Sequence, residues 1–139
     1  MARRSFLVAL LGAVVMAAGC GGPMEPQELA RSVQTLESTA SEGALLANGV
    51  ARDRTKATFV RAHARDLGET VDHEAEKLAD ADAHGDVATR KSQAVDLADR
   101  ISQALGKLQV SPGVESEGAA AERELEGFAK RAAEISDAL

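Results

Sequence analysis

From residue 26 onward the apolar side chains recur at steps of three and four, and no run of strict alternation bounded by turn residues interrupts them. A helix of 3.6 residues per turn brings every third or fourth side chain back to one face, so each such run predicts an amphipathic helix. The first run places Leu29, Val33, Leu36, Ala40, Gly43, Ala47 and Val50 on one face. The second has Ala57, Val60, Ala64, Leu67, Val71, Ala75 and Leu78, with Phe59 beside them. The third has Val87, Ala94, Leu97, Ala98, Ile101, Leu105 and Leu108, and the fourth Val114, Gly118, Ala121, Leu125, Phe128, Ala132, Ile135 and Leu139.

The punctuation between the runs sets the expected boundaries. Asn48-Gly49 supplies residues that tolerate the left-handed region and so predicts an end to the first helix; Asp53 and Asp86 are expected to cap the second and third by accepting from free backbone N–H groups. Helices are therefore expected at about 26–47, 53–81, 87–109 and 115–138. Such segments, each with one apolar face and short links, cannot bury those faces alone. The expected fold is all-α, an antiparallel up-down four-helix bundle, after a cleaved N-terminal signal. Frequent Ala and Gly on the stripes predict close helix approach and a thin core. The runner-up is a partly open pair of helical hairpins that completes its core by forming a homodimer or docking on a partner.

Residues 1–20 follow a different pattern. Arg3 and Arg4 precede thirteen residues without a polar side chain, Phe6 to Ala18, and the run closes on Ala17, Ala18, Gly19 and Cys20. A charged start, a short apolar stretch and small residues at its end are the parts of an export signal. Thirteen residues at 1.5 Å rise cover about 20 Å, short of the roughly 30 Å hydrocarbon core, so the stretch is expected to be removed rather than to span.

Cys20, the sole cysteine, directly after Ala17-Ala18-Gly19, resembles the lipobox of bacterial lipoproteins. The likeness covers residues 1–20, with Ala17 standing where that family prefers Leu. It implies cleavage at Ala17–Gly19, acylation of Cys20, and a tether, residues 20–25, ahead of the bundle at 26–139. Several acyl chains hold a protein stably where one does so marginally. The expected location is the cell envelope, anchored to membrane and facing periplasm or exterior; Gly21, in place of Asp, implies the outer membrane in a Gram-negative host. Two alternatives are an ordinary secretory signal that leaves a free thiol, and twin-arginine export, which Arg3-Arg4-Ser5-Phe6-Leu7 also resembles.

Composition narrows the function classes. Of 139 residues only 2% are aromatic, which excludes a base-stacking nucleic-acid module. One thiol excludes a disulfide framework and a cysteine zinc site. Without residues 1–19 the 16 cations lose Arg3 and Arg4, leaving 14 against 22 acids, a formal −8. An acidic body of this kind offers no footprint for a phosphate backbone, so no nucleic-acid partner is expected.

Two clusters invite a metal reading. The segment Asp80-Ala81-Asp82-Ala83-His84-Gly85-Asp86-Val87 resembles the start of an EF-hand loop, with carboxylates at the first and third places and Gly at the sixth. His84 at the fifth is a poor ligand for a hard cation, and Lys91 puts a positive charge where the bidentate Glu of the twelfth place belongs. Asp66, Glu69, His73, Glu76 and Asp80 also share one face of the second helix, but about 160° from the core direction, which is a solvated face. His63 lies at the flank of the apolar stripe, where contact with a neighbouring carboxylate is expected. No P-loop, nucleophile elbow, His-Glu-x-x-His or haem-attachment motif is present, and no cofactor or catalytic residue is expected.

The functional expectation is a non-enzymatic, lipid-anchored envelope protein. Its membrane contact is through N-terminal acyl chains, and its helical bundle serves as an interaction or structural module for a protein partner. The alternative is an envelope module that binds or responds to divalent metal through Asp80, Asp82, His84 and Asp86. A small-ligand carrier would need a core cavity that an Ala-rich bundle is expected to lack.

Overall fold

The structure is a computed structural model that describes residues 22–139. It is a four-helix bundle of α1 (Pro26–Ala51), α2 (Ala57–Asp80), α3 (Gly85–Val110) and α4 (Glu115–Asp137), and no strand occurs among the described residues. Side-chain bonds fix the antiparallel sense. Lys77 Nζ near the end of α2 donates to Ser32 Oγ near the start of α1 at 3.0 Å, and Ser102 Oγ on α3 donates to Asp72 Oδ1 on α2 at 2.8 Å. Asn48 Nδ2 near the end of α1 donates to Glu122 Oε1 near the start of α4 at 2.6 Å.

The cross-section is a rhombus rather than a square: α1 and α3 touch across the short diagonal, whereas α2 and α4 do not meet. Small side chains permit this. Nine of the 25 buried apolar residues are alanine, so axes approach more closely than leucine layers allow. Gly43 faces the diagonal, where a Cβ would stand 2.9 Å from Leu105 Cδ2. Between α1 and α4 the backbones themselves meet, since a Cβ on Gly118 would lie 2.7 Å from Ala51 N and 2.8 Å from Val50 Cγ1.

The first apolar stripe is buried at all seven expected positions. Most of the other stripe positions are buried too, but Ala57, Val114 and Leu139, at the ends of their runs, are exposed, and Ala75, Val87 and Phe128 are half-buried. Phe59, expected beside the core, is instead 55% exposed. It precedes Val60 by one residue, about 100° around the helix, and Val60 takes the inward position.

Three boundaries differ from the sequence expectation. α1 does not end at Asn48-Gly49 but runs on to Ala51, because Asn48 is held by Glu122 and Val50 is covered by α4. The left-handed position falls on Asp53, with φ 50. Asp53 N–H donates to Val50 O at 3.1 Å and Arg54 N–H to Gly49 O at 2.9 Å, the paired bonds of a Schellman ending. Asp53 thus closes α1 instead of capping α2, whose N-cap is Lys56. Likewise α3 begins at Gly85, with φ +58, after His84 as N-cap; Asp86 lies in the first turn and makes no cap bond.

Candidate interaction surface

The residues expected to carry export and acylation, Arg3, Arg4, Ala17, Ala18, Gly19 and Cys20, lie outside the described residues. The first anchored point after them is Met24. Its side chain is buried at the pole of the α2–α3 link, and its N–H donates to Asp82 O at 2.7 Å.

The expected metal residues sit at that same pole without forming a site. Asp80, Asp82, His84 and Asp86 are all exposed, and among the described residues no group of three or more His, Cys, Asp or Glu is arranged to hold a metal ion. Lys91 Nζ instead donates to Ala81 O at 2.6 Å. The residue whose charge conflicts with a calcium loop closes this link as an ammonium group. The acidic face of α2, Asp66, Glu69, His73, Glu76 and Asp80, is exposed throughout, as its angular position requires.

His63 behaves as its flank position suggests. Its Nε2 lies 2.8 Å from Glu42 Oε1 across the α1–α2 seam, and its ring stacks on Phe59 with centroids 5.3 Å apart. Phe59 thus lies against the His63 ring at the surface, its plane 17° from that of the imidazole.

Sequence reasoning missed the neighbour of this pair. Leu45, in the second half of α1, is 76% exposed. It forms the ridge between two depressions. One lies between α1 and α4, is open to solvent with a volume of about 610 Å³, and is lined by Ala44, Leu45 and Ala129 together with Ser41, Asn48, Glu122, Glu126 and Lys130. The other lies between α1 and α2, encloses about 230 Å³, and runs from Leu45 and Leu46 to Phe59 and His63. The two depressions share Leu45, and around both of them apolar side chains alternate with polar and charged ones. Their carboxylates are Glu42, Glu122 and Glu126; Lys130 is the one cation lining the larger depression. The α1–α2 link beyond them carries Arg52, Arg54 and Lys56, all exposed. The signal for Leu45 was present in the sequence: nine residues from Leu36, it falls about 180° away on the helical wheel.

No protein-family model, curated protein or solved structure matches the chain. No described helix is long and apolar enough to cross a membrane.

Proposed function

We propose that the chain is a non-enzymatic, lipid-anchored cell-envelope protein whose helical bundle is an interaction module held beside a membrane. The observation that supports this reading most directly is the docking of Met24 at one pole. Only Gly21, Gly22 and Pro23 separate Met24 from Cys20, so an anchor at Cys20 would hold the bundle by at most about 14 Å of extended chain. α1 then rises from that pole for about 39 Å over its 26 residues. A module attached in this way stands on its acidic pole and offers its far half, with Leu45 and Phe59, to partners.

The test is intact-mass analysis of the chain from the membrane fraction, beside a Cys20→Ser variant. The expected species starts at Cys20 and carries acyl chains, and the variant leaves the membrane fraction. A chain that retains its leader, or that starts near residue 20 with an unmodified thiol and is recovered in the soluble fraction, refutes the anchor.

A further inference from the structure

We infer that the cleft between the start of α2 and the end of α3 is a binding site for a phosphate-bearing anion, a diphosphate or a phosphate monoester. The inference goes beyond the interaction-module reading and does not depend on acylation of Cys20. It starts from an uneven distribution of charge. Residues 52–65 carry five cations, Arg52, Arg54, Lys56, Arg61 and Arg65, against one acid, Asp53. Taking these from the 14 cations and 22 acids that follow residue 19 leaves nine against 21. An acidic chain thus holds a local excess of positive charge. A small ligand responds to that local field, because salt screens exposed charges more than about 8–10 Å away.

The fold places part of this excess on one face. Thr58, Arg61, Ala62 and Arg65 share a side of α2 and, with Gln109 of α3, line a cleft open to solvent with a volume of about 370 Å³. No carboxylate lines it. Its depth comes from small residues: Ala62 is short, and the Gln109 amide lies across Gly68, with Nε2 3.6 Å from where a Cβ would stand. A second depression continues past the start of α2, where Arg54 and Lys56 add two cations and Asp53 is the one carboxylate.

The donors of the cleft are not consumed inside the protein. Among the described residues no carboxylate pairs with Arg52, Arg54, Lys56 or Arg61. Arg65 comes no nearer than 3.7 Å to Asp66 and 3.8 Å to Glu69, too far for a hydrogen bond. Arg61 Nε donates to Gln109 O at 3.4 Å, which sets the guanidinium at the cleft and leaves both its terminal nitrogens without a protein partner. Thr58 Oγ1 and Gln109 Nε2 likewise make no hydrogen bond among the described residues.

That set of donors selects the ligand class. Two guanidinium forks one helical turn apart, about 6 Å along the axis, match an anion that presents oxygens in several directions. A phosphate monoester has three such oxygens and up to two charges, whereas a carboxylate has two oxygens in one plane and one charge. A second phosphate on the same ligand would reach toward Lys56 and Arg54 in the adjoining depression.

The experiment titrates the isotope-labelled protein, as isolated, with inorganic pyrophosphate at fixed ionic strength, and in parallel with a water-soluble short-chain phosphatidic acid. Saturable amide shifts are expected at Thr58, Arg61, Ala62, Arg65 and Gln109. Arg61→Gln with Arg65→Gln should weaken pyrophosphate about tenfold or more, since each lost hydrogen bond to a charged group is worth that much. Both arginines are exposed, so an unchanged Tm should show that the variant folds. Arg100→Gln with Arg123→Gln, which removes two cations away from the cleft, should leave the affinity unchanged. Tighter binding of the phosphatidic acid assigns the phosphate to a lipid headgroup, and tighter binding of pyrophosphate assigns it to a soluble ligand. The site is overturned by shifts that do not saturate at millimolar pyrophosphate, by equal losses in the two double variants, or by a glutamate-rich peptide that binds as tightly. An unmodified Cys20 with saturable binding at the cleft would sink the anchor and leave this site standing; an acylated Cys20 with no binding would do the reverse.

Discussion

Gly118→Ala is expected to destabilise the bundle even though alanine is the better helix former. In an isolated helix the change would gain at most about 1 kcal/mol, and less in a first turn. Gly118 is the fourth residue of α4, and its added Cβ would stand 2.7 Å from Ala51 N, 2.8 Å from Val50 Cγ1 and 2.9 Å from Val50 Cβ. Carbon atoms prefer separations of about 3.5–4.0 Å, so the overlap approaches 1 Å on three atoms, one of them backbone. Relief requires α4 to move away from the end of α1, and overpacking of this kind costs about 1–3 kcal/mol. The net expectation is a loss of about 1–2 kcal/mol, or roughly 3–6 °C in Tm for a chain of this size. Gly127→Ala on the same helix is the matched control. A Cβ there meets nothing within 4 Å and the site is exposed, so the same substitution should gain about 0.5–1 kcal/mol. Urea unfolding followed by far-UV circular dichroism reads both, with an unchanged denaturant slope confirming that stability alone has moved. If Gly118→Ala is as stable as the parent, the close backbone approach of α1 and α4 is wrong.

Other substitutions probe the remaining features. Leu125→Ala, at a fully buried position facing Gly43, should cost about 2–5 kcal/mol in urea unfolding, whereas Leu45→Ser should change stability by less than about 0.5 kcal/mol because it is already in water. Asp53→Gly should raise Tm through a gain of about 0.5–1 kcal/mol, since glycine accepts the left-handed φ at the end of α1 without a Cβ penalty. Millimolar calcium should leave Tm unchanged, because the 80–86 link gathers no ligand set; a rise that Asp80→Ala removes would restore the metal reading.

Fold class was legible because periodicity and burial are the same physics seen twice. The stripe of α1 needs no tertiary information: any helix with those residues has one face to hide, and all seven positions are hidden. The angular argument also reached the exposed acidic face of α2 and the boundary role of His63. It could have reached Leu45, which stands opposite Leu36 on the same helix.

Tertiary structure decided what local signals leave degenerate. Asn48-Gly49 is a helix terminator by propensity, yet Glu122 and Val50's partners on α4 carry α1 one turn further, and Asp53 takes the left-handed position instead. Propensities differ by about 1 kcal/mol or less per residue, and packing against a neighbouring helix outweighs that. The 80–86 link could have been a cation loop by composition, and only the placement of Lys91 on Ala81 O fills it with an ammonium group. The pairing of Leu45 with Phe59 likewise depends on which helices are neighbours. A sequence orders side chains around one axis; the distance between two axes comes from how the small residues of all four helices pack, and that distance turns separate exposed residues into a surface.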